Sequence, residues 1–313
     1  MNRLTNKEGI SIPLAVWLAH DDYDYDGRDN VISTTTLLKP IRQIVLGRKY
    51  KDAMREIDVS DLIASSMGTA LHDSVEAAWM KKDKVIKTLE SLGYSKPELI
   101  FDKLTLEKRS EKEFGKYIVS GKFDIAFDGT VCDIKSTSVW SYIYGSKEKD
   151  YILQMSIYRL LNPSLITHDF GYIEYIFTDW SAVKAKQDSS YPQSRVLSKK
   201  LKLLSLDETE KYISEKLALV AKYEAMGVED LLVCPDDELW READVWKYYK
   251  NPKSMSRATK NFDNELDANA RLSKDKNVGI VVHHKGGVKR CQYCNYTNLC
   301  SQYYEMQIKG EIK

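Results

Sequence analysis

Apolar and polar residues alternate with a period of two from Ile118 to Ser136 (IVSGKFDIAFDGTVCDIKS), on both sides of Asp128-Gly129. An Asp-Gly pair between β-branched and aromatic runs signals a two-residue type I′ turn, so the stretch is predicted to be a β-hairpin with its register set by that turn. Phe127 then faces Thr130, Ile125 faces Cys132, Asp124 faces Asp133 and Lys122 faces Lys135. Because side chains alternate along a strand, Phe123, Ile125, Phe127, Cys132 and Ile134 share an apolar face, while Lys122, Asp124, Asp133 and Lys135 share the other. A helical period appears elsewhere. Leu71, Val75, Ala78 and Trp79 predict a helix from Met67 to about Lys82, with His72 and Glu76 one turn apart. Ser33-Thr34-Thr35 caps a helix through Leu37, Leu38, Ile41, Ile44 and Val45, with Pro40 near its first turn. A further helix runs from about Lys149 to Leu161 and stops at Asn162-Pro163. Ser205 to Glu208 form a capping box that opens a helix to Met226, closed by Gly227. Residues 98 to 110 and Tyr172 to Phe177 read as strands, the first ending near Glu107. Helix, strands, helix, strand is the order of a mixed α/β sheet with flanking helices.

Composition narrows the class. The 313 residues are 43% hydrophobic, enough for a substantial core. No run is long and apolar enough to span a membrane, and the N-terminus lacks the apolar core of a secretory signal, so a cytoplasmic location is expected. The net charge is +1, from 47 Lys and Arg against 46 acids, so nucleic-acid binding would have to come from local clustering. The clearest cluster is Arg195, Lys199, Lys200 and Lys202, in a segment that reads as irregular and suits a DNA backbone and a solvated surface about equally. Three of the five cysteines lie near the C-terminus, which favours a metal over a disulfide framework.

The hairpin carries the chemistry. Two carboxylates opposite each other in a non-hydrogen-bonded pair sit about 4.5 Å apart between Cα atoms and destabilise a hairpin by repulsion. A divalent cation between them reverses that sign. An Asp/Lys pair alone would be an ordinary cross-strand ion pair, which leaves the facing Asp124 unexplained. His72 on its helix is a ligand candidate against the plainer reading of a packed histidine. Glu107 is a third carboxylate candidate, read as an exposed strand-end acid and left out of the core set. Gln154 and Tyr158, four apart on one helix face, are candidates to hydrogen-bond a phosphate or base. The acidic stretch Asp21 to Gly27 starts like a calcium loop, but Ser33 stands where the twelfth-position Glu belongs, so a solvated turn is expected. Cys291-x-x-Cys294 with Cys300 six residues later and the distant Cys234 can enclose one tetrahedral metal or a [4Fe-4S] cluster. His283 or His284 is next in line should Cys234 be a free buried thiol. Cys132 lies on the apolar hairpin face and is excluded.

Gly121-Lys122-Phe123-Asp124, then Asp133-Ile134-Lys135, resembles the signature of the PD-(D/E)XK nucleases. Gly68-Thr69-Ala70-Leu71-His72 and Gln154-x-x-x-Tyr158 are similar to the histidine and Gln/Tyr motifs of the RecB-like branch, and the terminal cysteines to its iron-sulfur motif. The motifs occur in the family's order over residues 68 to 302. Two departures stand out: Phe123 replaces the usual proline before Asp124, and Cys234 follows the nuclease motifs where the family's first cysteine precedes them. The resemblance implies a restriction-endonuclease-like mixed sheet flanked by helices, in a single domain over 1–313 with a catalytic core at 67–180 and an iron-sulfur tail at 231–304. It implies a Mg²⁺- or Mn²⁺-dependent DNA exonuclease of phage or CRISPR-associated type, acting on single- or double-stranded ends in recombination or repair. Asp124, Asp133 and His72 would hold the metal with the Ile134 carbonyl, Lys135 would act on the attacking water, and Gln154 and Tyr158 would touch substrate. The cysteine set, Cys234, Cys291, Cys294 and Cys300, would hold [4Fe-4S], with zinc as the alternative. A homo-oligomer or a recombination-protein partner fits the same resemblance. The reading from another class is a non-catalytic DNA-binding or scaffolding module organised by the metal-bound tail.

Overall fold

The structure is a computed structural model that describes residues 3–21, 26–54 and 56–312. Most of the acidic stretch, Asp22 to Tyr25, lies outside the described residues. The chain divides into two compact units, one of residues 1–39 and 53–218, the other of residues 40–52 and 219–313.

The first unit is built on a six-stranded mixed sheet of β1 (Val31–Ser33), β2 (Leu104–Phe114), β3 (Tyr117–Phe127), β4 (Thr130–Thr137), β5 (Phe170–Phe177) and β6 (Val196–Lys202). Its helices include α1 (Ile63–Trp79), α2 (Val139–Ile143), α3 (Glu148–Leu161), α4 (Ala182–Gln187) and the start of α5 (Leu206–Glu224). The β3–β4 hairpin has the predicted register, Phe127 with Thr130 and Ile125 with Cys132, around a turn in which both Asp128 and Gly129 have positive φ. β4 and β5 run parallel, Val131 beside Gly171, so they need a crossover, and α2 and α3 supply it. Two glycines let α3 settle onto the sheet. A Cβ at Gly121 would lie 2.9 Å from Leu161 and 3.0 Å from Tyr158, and one at Gly171 would lie 2.7 Å from the Met155 sulfur. Phe123, Val131, Met155, Tyr158 and Ile173 form the core there.

Several sequence expectations shift. Pro40, lacking an N–H and disfavouring helix at the residue before it, splits the expected 33–45 helix into Thr34–Leu37 and Ile41–Lys49. Residues 97–101 form a short helix with Pro97 at its start, and the strand that follows continues beyond Glu107 to Phe114. The 179–202 segment is ordered: Lys199, Lys200 and Lys202 belong to β6, and Lys199 pairs with Glu148 at 2.5 Å. Lysines on a strand paired along one side are a common guard against edge-to-edge association. The Ser205 capping box forms, its hydroxyl accepting from Glu208 N at 3.1 Å while Glu208 accepts from Ser205 N at 2.8 Å.

In the second unit, β7 (Val245–Tyr249) is flanked by β8 (Lys260–Phe262) and β9 (Ile280–His284), with α6 (Glu265–Lys274) in contact with all three. The helix Ile41–Lys49 and the terminal α7 (Ser301–Ile308) belong to the same unit. No helix among the described residues is long and apolar enough to cross a membrane.

Candidate functional site

Strand β3 is paired along one side with a single missing pair and widely interrupted on the other. β2 follows it from Tyr117 to Phe127, whereas the opposite edge is paired by β1 at Ile118–Ser120 and by β4 only at Ile125–Phe127. Between those two, at residues 121–124, hairpin strand β4 has parted from β3. Asp124 sits at the fork, and its carboxylate accepts from Ile134 N at 3.0 Å in place of a backbone ladder bond. The β2 ladder is also broken at this level. Leu106 pairs with Ile125 and Lys108 with Phe123, but the Glu107–Asp124 pair between them is not made, and Glu107 has φ +47°. That region is disfavoured for a residue with a Cβ, at a cost of about 1–3 kcal/mol that the surroundings must impose.

The break also explains where strict alternation fails. Phe123 and Ala126 are three apart and would lie on opposite sides of a regular strand, yet both belong to one core cluster with Val131. The strand therefore turns over between them, at Asp124 and Ile125, and the apolar face expected from Phe123 to Phe127 is not continuous. Cys132 stays half-buried, its thiol pushed up to about 12 by burial.

Three carboxylates thus stand abreast on adjacent strands, Glu107, Asp124 and Asp133. His72 reaches them from α1, its Nδ1 3.2 Å from Asp124 Oδ2. One ligand atom each from His72, Glu107 and Asp124 lie within 4.8 Å of one another. Glu107, set aside in the sequence as a strand-end acid, belongs to this group. The available signal was its position: counting back through the tight turn at Gly115 places it opposite Asp124.

Asp133 is the most deeply placed of the three, 1% exposed, with its Oδ2 2.5 Å from the Lys135 ammonium. Burial raises its pKa, and Asp124 adds to the rise. For Lys135 burial works the other way, but Asp133 and Asp124 outweigh it and the ammonium is held. The two shifts differ in meaning. Two carboxylates hold the lysine's charge, while burial still disfavours the charged form of Asp133 despite Lys135. His72 has a raised pKa because Asp124 bonds its imidazole, in opposition to burial. Glu107 is raised by burial, although Lys122 at 2.6 Å offsets part of that effect. A buried carboxylate beside two more carboxylates and a histidine, with a lysine ammonium on one of its oxygens, matches the hard-donor requirement of Mg²⁺ or Mn²⁺.

Gln154 and Tyr158 lie inside the core, 8% and 4% exposed, the Gln154 amide donating to the Tyr158 hydroxyl at 2.8 Å. The Ile134 side chain is buried and its amide faces Asp124, as described.

Within the second unit, Cys234, Cys291, Cys294 and Cys300 line one pocket of about 30 Å³, walled also by Leu239 and Met306. Gln302 pins the distant member, accepting from Cys234 N and donating to Cys234 O, both at 2.8 Å. Burial raises the thiols of Cys234 and Cys291, to about 12 and about 11. Beside them Arg42 is only 3% exposed. Its Nε donates to the Cys300 sulfur at 3.2 Å, and its other donors reach Leu231 O at 2.7 Å and Ser301 Oγ at 2.6 Å. A buried guanidinium whose bonds go to carbonyls, a hydroxyl and a sulfur favours negative charge at that sulfur. Four soft sulfurs lining one pocket are a donor set that fits a thiolate-bound metal group. His283, the alternative fourth ligand, is bonded to Asp244 at 2.8 Å and stacked on Trp246.

No family model and no curated protein matches the chain. Among solved structures it is similar to SSO0001, at 18% identity over 66% of this chain and 82% of that one, with a TM-score of 0.38. A phage-related exonuclease from Haemophilus somnus 129PT is similar at 18% identity over 62% and 92%, TM-score 0.31. A protein of Eubacterium rectale provisionally called an exonuclease follows at 10% identity over 66% and 85%, TM-score 0.38. At such identities the likeness is one of fold alone.

Proposed function

We propose that this protein is a metal-dependent deoxyribonuclease acting at DNA ends, in recombination, repair or a related processing step. The observation that carries the reading is Asp133, a carboxylate only 1% exposed and held by Lys135 at 2.5 Å, close to an Asp124 that shares one cluster with Glu107 and His72. No folding advantage follows from gathering those groups, since like charges side by side destabilise a sheet.

Asp124, Asp133, Glu107 and His72 would hold Mg²⁺ or Mn²⁺, with the Ile134 carbonyl as a further oxygen donor. Bound there, the ion would supply a Lewis acid for the phosphate and lower the pKa of a water. Lys135, held by Asp133, orients the attacking water, favours its deprotonation and offsets charge growing on the phosphate. His72 contributes a neutral ring nitrogen, which tilts the donor set from Mg²⁺ towards Mn²⁺. Gln154 and Tyr158 brace α3 beneath the fork, and direct contact of Gln154 with DNA would require its amide to leave Tyr158.

The four cysteines would hold a [4Fe-4S] cluster, Arg42 balancing part of its negative charge. A single zinc on the same sulfurs is the alternative. The role of the bound group is to tie the tail to the Cys234 segment.

End-labelled single- and double-stranded DNA incubated with Mg²⁺, Mn²⁺ or chelator tests the activity. Metal-dependent shortening from the ends is expected, and intact DNA under all conditions would refute it.

A further inference from the structure

Helix α2 begins just after β4 ends, four residues beyond Lys135, and with Tyr144 at its C-terminal end presents two large aromatic rings outwards. Trp140 is 46% exposed and Tyr144 is 75% exposed. Their rings stack, with centroids 6.0 Å apart and planes at 24°, and the Lys184 ammonium lies 5.6 Å from the Trp140 centroid. Spacing of four along a helix brings such rings together. Burial of apolar surface gives no reason for both to face water. Tyr142, between them in sequence, turns inwards, meeting Tyr175 edge-on at 5.2 Å and Phe177 at 5.5 Å. Tyr175 in turn meets Tyr151 at 6.3 Å, and Tyr151 carries the Lys135 ammonium 5.6 Å from its ring. The inward tyrosine thus anchors α2 to the catalytic lysine's own surroundings, and the outward pair is held rigidly beside the fork. Five residues separate Lys135 from Trp140, at most about 18 Å of chain. Lys147, Lys149, Lys184 and Lys186 are exposed on the segments bearing or flanking the pair.

Exposed rings bordered by lysines are the makings of a stacking platform for unpaired bases, which offer a π-face whatever their identity and a phosphate for each lysine. Duplex DNA keeps its bases stacked on one another and has no such face to give except at an end. The geometry points to Trp140 and Tyr144 as the platform that receives single-stranded DNA and feeds it to the Asp124–Asp133–Lys135 site. This rests on the nuclease reading above and names its substrate form.

The test uses the whole protein without divalent metal, so that binding is read apart from cleavage. Oligo(dT) should quench tryptophan fluorescence. Trp140→Ala should remove part of that quench and weaken binding by about 5- to 150-fold, the range for losing one base–aromatic stack. Tyr144→Ala should weaken it similarly, and Trp140→Phe, which keeps a ring, should bind nearly as the parent does. Affinity for a covalently closed circular duplex, which has no ends, should change less than twofold in all three variants. If both alanine variants bind oligo(dT) as tightly as the parent, or lose duplex affinity to the same degree, the platform is refuted. Cleavage of end-labelled DNA by the parent with Mn²⁺ separates the two claims. A parent that cleaves while the alanine variants bind oligo(dT) unchanged sinks the platform and leaves the nuclease standing. A parent that binds oligo(dT) through Trp140 but never cleaves does the reverse.

Discussion

The fork in the sheet and the cysteine pocket both gather side chains that gain nothing by being together, and they neutralise them differently. At the fork the groups are acids and bases, and the protein supplies its own partners for the carboxylates: Lys135 on Asp133, Lys122 on Glu107 and His72 on Asp124. In the pocket the thiols of Cys234 and Cys291 are pushed up by burial and are neutral at pH 7, so a proton does the work of a metal until one arrives. The first arrangement suits ions that come and go with substrate, because the metal-free state is already balanced. The second suits a resident group, because each thiol must give up its proton and the surrounding chain closes on the product. Metal should accordingly be linked to activity at the fork and to folding in the pocket.

The largest effect should follow from breaking the pocket. Cys291→Ser protein prepared without oxygen should lose iron and its absorption near about 400 nm, and its thermal midpoint should fall by about 10 °C or more, since binding free energy there is folding free energy. Chelation of Mg²⁺ or Mn²⁺ should abolish cleavage with colour and midpoint intact. A midpoint that drops with the exchangeable ion would erase the distinction between the two regions. Next in size, Lys135→Ala should slow single-turnover cleavage by about 100- to 1,000-fold, the cost typical of removing one transition-state partner. Circular dichroism should show a folded protein. Full activity in that variant would remove the lysine from the reaction.

Glu107 sharpens the contrast through strain. Glu107→Gly relieves a φ of +47° and should raise the midpoint of the metal-free protein by a few degrees, about 1 kcal/mol, even as Mn²⁺ affinity falls at least about tenfold. Calorimetry reads the second quantity, with Glu107→Gln as the control that loses the ligand and keeps the strain. The smallest effect concerns protons. Asp124 raises the pKa of His72 above its ordinary 6.5. Their pairing therefore stabilises the metal-free fold fully below 6.5, and the gain is lost as pH rises through the raised value. Mn²⁺ needs the neutral ring, so its affinity should climb across the same interval. His72→Gln should flatten both slopes, and unchanged slopes would show that His72 is not a ligand.

Much of this protein was legible in one dimension where the physics is local. Asp128-Gly129 sets the hairpin because a two-residue turn needs positive φ at both positions, and the Ser205 capping box needs only four consecutive residues. The pairing of Ile125 with Cys132 follows from the turn alone. Asp124, Asp133 and Lys135 could be placed close together for the same reason. What failed involved partners distant in sequence. Glu107 looked like a strand-end acid because nothing nearby in the chain announces that β2 continues to Phe114 and that its ladder with β3 breaks opposite Asp124. The bond from Arg42 to Cys300, 258 residues apart in sequence, is of the same kind, a contact no local pattern encodes. Alternation itself predicted a continuous apolar face, and it was overturned because β4 leaves β3 at the fork and the freed strand rotates Phe123 and Ala126 into one core. Residue types, turn chemistry and caps thus determined the elements and the candidate donors. Only the tertiary structure decided which donors meet, because a buried carboxylate's partners are chosen by how strands part and helices close over them, and that depends on the packing of the whole sheet.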